Sequence, residues 1–381
     1  MARTVLYVHS SAGRYGADRQ LLAMAAGLDP KRFRALTVLP EAGPLADDLQ
    51  AGGVQVIVRP QLAVLRRALF TPRGLARVAG QLARDRAVLG RLARERAAVL
   101  VHANTSVCVG AYPAATGARL PLAVSVREIY ADFARWWPLY RRFLLRADAL
   151  ACSSEPVCAQ FGDSPRARVL HEGVTAAARR APRAQARAAL GLPAEAFVCA
   201  VLGRLSSWKG QEILVRAIAE PGLANIDGVA LVAGDAWPGE ERHERALREL
   251  AVALELGDRV RLVGFRDDVD TVYGAADVIV VPSTHPDPLP NSALEAAAAG
   301  CCVVAAAHGG LPEIVRDGET GRLVPPGDPA ALAAVLAELA ADPKQRERLG
   351  AAAAADVADR FSVSRLLDRT QGLYDELLAG R

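Results

Sequence analysis

Residues 277–315 read DVIVVPSTHPDPLPNSALEAAAAGCCVVAAAHGGLPEIV, and this stretch decides the fold class. An apolar run of strand length, Val278–Val281, stops at Pro282–Ser283. A proline-rich loop follows, an alanine-rich helical segment opens near Asn291 or Ser292, and a second apolar run begins at Cys301–Cys302. Both runs are continuously apolar and do not alternate, as expected of strands covered on two faces. A strand, a helix and a second such strand in succession predict a parallel βαβ unit.

The same alternation extends to both ends of the chain. Before it come TVLYVHS, RALTVLP, VQVIVRP, AVLVHAN, LAVSVRE, ALACSS and ARVLHEG, then FVCAVLGRL, VALVAGD and RVRLVGF; after it comes GRLVPPG. The rhythm pauses only at TAAARRAPRAQARAALGLPAEA, so a linker is expected near 175–190. A length of 381 residues also suits two cores better than one. The expected fold is therefore α/β, with two Rossmann-like doubly wound domains facing a central cleft. Residues 1–178 form the first, 179–360 the second, and 361–381 an amphipathic C-terminal helix packing back toward the first. In such sheets ligands sit beyond the carboxyl ends of the strands, so chemistry is expected at strand-to-helix turns.

Composition excludes several classes. With 51% apolar and 23% charged residues the chain is neither disordered nor fibrous. No apolar stretch approaches the roughly 18 residues of a membrane span, and MARTVLYVHS runs into a strand pattern without a signal-like apolar region, so a cytoplasmic location is expected. The six cysteines show no ligand spacing and read as small buried hydrophobes. Residues 1–180 carry 26 Lys and Arg against 13 Asp and Glu, whereas 181–381 carry 20 against 29. Nine of the arginines lie in 61–98, facing only Asp85 and Glu95, and read as a solvated helix face; peripheral contact with the inner face of a membrane is the competing reading. Nucleic-acid binding is not expected, because the basic residues match no reading module.

Three turns carry candidate chemistry. After the first strand, Gly13 and Gly16 precede a helix, a geometry that lets backbone amides approach an anion; a glycine needed only to turn the chain explains them equally. Neither a complete GxGxxG nor a GK[ST] is present. In VLGRLSSWKGQEI, Gly203 and Arg204 follow a strand and Lys209 stands just before a helix, two cations suited to a diphosphate. In the opening stretch, Asp287 and Glu295 are eight positions apart around a helix start and can accept hydrogen bonds from hydroxyls. Asp268 and Asp270 read as acids at a helix start, and no metal site is expected.

Taken together, GRLSSWKG, VRLVGF, ADVIVVPS, the spacing from Asp287 to Glu295, and GGLPEIV followed by DGETGRLVPPGD resemble the retaining, nucleotide-sugar-dependent glycosyltransferases of the GT4 group, which have the GT-B architecture. GRYGADRQLL is similar to that family's glycine loop. The resemblance implies a donor site in which Arg204 and Lys209 hold the diphosphate and act catalytically with Asp287. Gly16 lies beside the phosphate, Glu295 meets the ribose, and the backbone of Pro290, Asn291 and Ser292 meets phosphate and sugar. It also implies that Gly203 belongs to the donor loop and that Gly264 and Phe265 border the base. Asp287 takes the place of the family's first Glu, which binds hydroxyls of the transferred sugar, and is one methylene shorter.

On the acceptor side many relatives carry a His followed by an acid, where this chain has Arg127 and Glu128. Arginine is no general base at neutral pH, so that role does not transfer; a ligand-orienting pair and a structural Arg–Glu pair both fit. His102 and Trp136 are further acceptor-side candidates, each with a packing role as the alternative. The expected reaction is transfer of a sugar from a nucleoside diphosphate sugar, a UDP-sugar first, to a hydroxyl of an acceptor that the sequence does not specify, with retention and without cofactor or metal. An epimerase of GT-B architecture and a non-catalytic sugar-nucleotide binder are the alternatives; an NAD-dependent oxidoreductase lacks its glycine fingerprint.

Overall fold

The computed structural model describes residues 2–65, 69, 71–130, 133, 135–174, 179–224 and 226–380. It divides into two compact units, Met1–Thr175 with Ser362–Arg381, and Ala176–Phe361.

The first unit is built on seven parallel strands: β1 (Arg3–Val8), β2 (Phe33–Leu39), β3 (Gln55–Val58), β4 (Ala98–Ala103), β5 (Leu122–Val126), β6 (Ala149–Cys152) and β7 (Ala167–Val169). Their order across the sheet is β3-β2-β1-β4-β5-β6-β7. Successive residues point to opposite faces, and each face has its own core. Leu6, Val8, Leu36, Val38 and Val101 lie in one cluster, whereas Val5, Tyr7, Phe33, Leu39 and Leu100 lie in the other. Burial on both sides is what the uninterrupted apolar runs express.

The second unit repeats the plan with six parallel strands: β8 (Phe197–Leu202), β9 (Gly228–Ala233), β10 (Val260–Leu262), β11 (Val278–Val281), β12 (Cys302–Ala306) and β13 (Arg322–Val324). Their order is β10-β9-β8-β11-β12-β13. In each sheet the winding reverses beside the first strand, between β1 and β4 and between β8 and β11. Two crossovers leave that point in opposite directions, and a crevice opens at the carboxyl ends of the two strands.

Three local features differ from the sequence reading or extend it. The stretch without an apolar strand contains a helix, Arg183–Ala189, anchored by a polar contact that hydropathy does not register. Arg187, 2% exposed, bonds Asp277 at 2.7 Å, and the same carboxylate accepts the amide of Val198 at 2.8 Å. Asp85, on the long helix Pro72–Glu95, does not face its arginines outward; it is fully buried and accepts the amide of Ala63 at 2.8 Å. The C-terminal helix Val363–Ala379 belongs to the first unit, where Tyr374 is buried and its hydroxyl meets that of Tyr7 at 2.7 Å. Among the described residues, no helix is long and apolar enough to cross a membrane. Of the six free cysteines, five are buried and Cys158 is half-buried.

Candidate active site

In the second unit, the loops leaving β8, β11 and β12 interlock at the switch point. The β8 loop runs from Gly203 to Gly210 and ends at helix Gln211–Ala219. Gly210 sits at φ 71°, and a Cβ there would lie 2.0 Å from the carbonyl oxygen of Pro282, so only glycine lets the β8 and β11 loops approach this closely. The contact is reinforced by the Thr284 amide, which donates to the carbonyl of Trp208 at 2.8 Å.

Lys209 and Asp287 meet across that contact, Nζ to Oδ2 at 2.6 Å. Their side chains are 21% and 7% exposed. The pair is largely withdrawn from water, and the lysine keeps further donors for a second anion. Its ammonium also lies 4.3 Å from the ring centre of Trp208. Arg204, on the same loop, stacks over Trp237 at 3.7 Å and bonds Asp235 at 3.4 Å. Gln211 donates to its carbonyl at 2.9 Å and fixes the loop backbone. Neither Asp235 nor Trp237 was singled out in the sequence; the signal was GDAWPG at the end of β9, a turn beside the one that carries Arg204.

Of the remaining residues expected at the donor site, all but Gly16 fall in the same unit. Pro290 caps helix Asn291–Ala298, which opens where the sequence indicated. Glu295 lies in its second turn, 3.4 Å from the hydroxyl of Tyr273. Gly264, at φ 68°, accepts the Gly234 amide at 2.8 Å, and Phe265 beside it is 62% exposed, a large ring left open to solvent. Gly203 continues the sheet by donating to Ala233 at 3.0 Å. Asp268 caps helix Val269–Ala275 and pairs with Arg266 at 2.5 Å, while Asp270 accepts the amide of Arg179. Both are thus helix-start acids, and among the described residues no group of three or more His, Cys, Asp or Glu side chains is placed to hold a metal.

The first unit has its own cluster at the β1/β4 switch point. Gly16 opens helix Gly16–Gly27, and Asp18, only 1% exposed, secures that start by accepting the Tyr15 amide at 2.8 Å. Asp18 also accepts from Ser11 at 2.6 Å and pairs with His9 at 2.7 Å. Burial opposes its charge, yet these hydrogen bonds outweigh burial and hold the carboxyl below its ordinary range. Asn104, at the end of β4, donates to His9 Nδ1 at 3.1 Å, so the proton of His9 resides on Nε2 and faces Asp18. Sequence reasoning missed His9 and Asn104, because what joins them is the pairing of β1 with β4.

The guanidinium of Arg127 forms no ion pair with Glu128, although the Arg127 amide donates to that carboxylate at 3.1 Å. The guanidinium bonds Glu172 and Asn104, whereas Glu128 accepts from Ser106 at 2.7 Å. His102 is also corrected by the structure. It is 1% exposed, bonded to Tyr374 and to Ser125 at 2.9 Å, and burial lowers its pKa to about 3. A ring so enclosed belongs to the core and touches no acceptor at the surface. Trp136 is 41% exposed and remains open to contact, while Trp137 stacks on Tyr130.

Residues 182–356, nearly the whole second unit, match the family described as Glycosyl transferases group 1. Curated relatives include the D-inositol 3-phosphate glycosyltransferases of Saccharomonospora viridis, 41% identical over 53% of this chain and 48% of that protein, and of Streptomyces bingchenggensis, 37% identical over 61% and 54%. The chain spans about half the length of these curated relatives. Among solved structures, Anabaena HepE in complex with UDP is 26% identical with a TM-score of 0.82, covering 98% of this chain and 100% of that one. HepE has also been solved with UDP-glucose, at a TM-score of 0.81 and with 98% and 99% covered. The sucrose-phosphate synthase of Thermosynechococcus elongatus shares the fold at a TM-score of 0.76 and 24% identity, over the full length of both chains. The two parallel-sheet units are those of the GT-B glycosyltransferases.

Proposed function

We propose that this chain is a retaining glycosyltransferase that moves a hexosyl group from a UDP-sugar to a hydroxyl of a second substrate. One observation carries the reading: the Lys209–Asp287 pair, 2.6 Å long and drawn from two loops at the β8/β11 switch point, joins a phosphate-type cation to a hydroxyl-accepting carboxylate. The group 1 match and the binding of UDP and UDP-glucose by HepE support it.

The assigned roles follow from charge. Departure of UDP builds negative charge on the diphosphate, and Arg204 and Lys209 stabilise it in a site that need not reorganise. This positive charge is built into the protein, so the proposal includes no metal. Asp287 and Glu295 accept hydrogen bonds from sugar and ribose hydroxyls. As the bond from the anomeric carbon to the phosphate oxygen breaks, the acceptor oxygen forms its bond on the same face, and its proton passes to that phosphate oxygen. The first unit is assigned the acceptor, with Glu128 and Trp136 as its contact residues. Six free cysteines fit a reducing compartment, and the cytoplasm is the proposed location.

Incubation with a UDP-sugar, with and without a mixture of polyol, glycan and lipid-linked acceptors, tests the reading. UDP release that requires acceptor, with a product of unchanged anomeric configuration by NMR, is expected. Sugar isomerised without acceptor would replace the transferase by an epimerase, and donor bound but left intact would make the chain a binder.

A further inference from the structure

We propose that His308 is a positioning residue that sets Asp287 for the sugar of the donor, by clamping the β11 loop from the turn that follows β12. The inference rests on the donor site proposed above and concerns a residue to which that site gives no role.

The loop Ser283–Pro290 carries Asp287 between three prolines, Pro286, Pro288 and Pro290. Prolines supply no amide hydrogen and restrict the residue before them, so the loop makes few hydrogen bonds of its own and takes its position from outside. Two bonds from the β12 turn provide it. His308 Nε2 lies 2.8 Å from the carbonyl oxygen of Ser283, and the Gly310 amide donates to the carbonyl of Asp287 at 2.8 Å. A carbonyl only accepts, so His308 carries its proton on Nε2.

Between these bonds the two backbones touch. Gly309 is at φ 59°, and a Cβ there would lie 2.3 Å from the Asp287 carbonyl oxygen; at Gly310 it would lie 1.9 Å from that of Pro288. The glycines therefore allow the approach, and the imidazole fixes where along the loop it occurs. On its other side the loop is tied to the β8 loop through Thr284 and through Lys209. Asp287 is thereby held between a clamp on its backbone and an ammonium on its carboxylate. Ser283 is fully buried with an unpartnered hydroxyl, and the buried Nδ1 of His308 is unpartnered too. The Nε2 bond thus ties this end of the loop to the β12 turn, and losing it leaves the Ser283 carbonyl without that donor.

The roles divide by ligand. UDP lacks the sugar and meets Arg204, Lys209 and Glu295; UDP-glucose adds the hydroxyls assigned to Asp287. Calorimetric titration of wild type, His308→Ala and His308→Gln with UDP and with UDP-glucose tests the division. Glutamine places an N–H at nearly the reach of Nε2. In His308→Ala, UDP affinity is expected to stay within about 2-fold while UDP-glucose affinity falls about 10-fold, the effect of one lost hydrogen bond. His308→Gln is expected to recover most of that loss. Hydrogen exchange of the unliganded protein should show faster exchange at Gly310 in His308→Ala and near-native exchange in His308→Gln. Unchanged UDP-glucose affinity in His308→Ala, an equal loss for both ligands, or failure of glutamine to restore exchange and affinity would overturn the clamp. If wild type binds neither ligand, the donor site itself fails, an outcome distinct from these.

Discussion

Removing either partner of the Lys209–Asp287 pair is expected to have unequal consequences. In Lys209→Ala, a carboxylate 7% exposed loses its counter-ion and stays buried, a situation that costs about 3–5 kcal/mol when burial is complete. The small remaining exposure reduces this to about 2–3 kcal/mol. In Asp287→Ala the lysine, 21% exposed and over Trp208, can turn to water, so about 1 kcal/mol is expected. The double variant should recover about 1–2 kcal/mol relative to the sum of the two. Because the chain has two units, a global melting curve mixes their transitions. Native-state hydrogen exchange at β8 and β11 amides, resolved by mass spectrometry, isolates the second unit. Equal costs, a larger cost for Asp287→Ala, or additivity within about 0.5 kcal/mol would show that the carboxylate does not depend on Lys209.

Acid should weaken the first unit through its buried histidines. Burial lowers the pKa of His9, against the pull of Asp18, and takes that of His102 to about 3, so the unfolded chain binds protons first as pH falls below about 6.5. Stability is therefore lost as pH falls from there, at about 1.4 kcal/mol per pH unit for His102 with His9 adding in the same direction; urea midpoints at pH 7, 6 and 5 should show it, and His102→Gln should remove the His102 share. Two glycines of left-handed backbone separate strain from crowding. Gly318→Ala, with φ 72° and nothing within 4 Å of the added carbon, should cost about 1 kcal/mol, whereas Gly309→Ala also drives a methyl into the Asp287 backbone and should cost at least about 3 kcal/mol, read from exchange in β12.

The central strands were legible because they are buried on both faces, which leaves unbroken apolar runs in the sequence, whereas the edge strands β3, β7 and β10 are partly exposed. The helix start at Asn291 and the loop carrying Arg204 and Lys209 were legible because proline, glycine and charge mark them locally. What escaped depends on strand order and long-range contact. His9 meets Asn104 only because β1 lies beside β4, and Arg127 reaches Glu172 from the far side of β6. His102 resembled a strand-end ligand, yet its partner Tyr374 lies 272 positions along the chain, in the closing helix. Helix Arg183–Ala189 was concealed in an apparent linker because a buried arginine, not an apolar face, anchors it.

In the proposed donor site, the second unit holds a nucleoside diphosphate on Arg204 and Lys209. Thermal denaturation of wild type, Arg204→Ala and Lys209→Ala with UDP, GDP and dTDP, followed at the second unit by pulsed hydrogen exchange resolved by mass spectrometry, is the decisive experiment. Saturation at 100 times the dissociation constant stabilises a binding protein by about 2.7 kcal/mol, a rise of several degrees for a unit of this size. Such a rise is expected with UDP in wild type, and little or none in either variant. A wild type that responds to no nucleotide, or variants that respond as it does, would contradict that donor site.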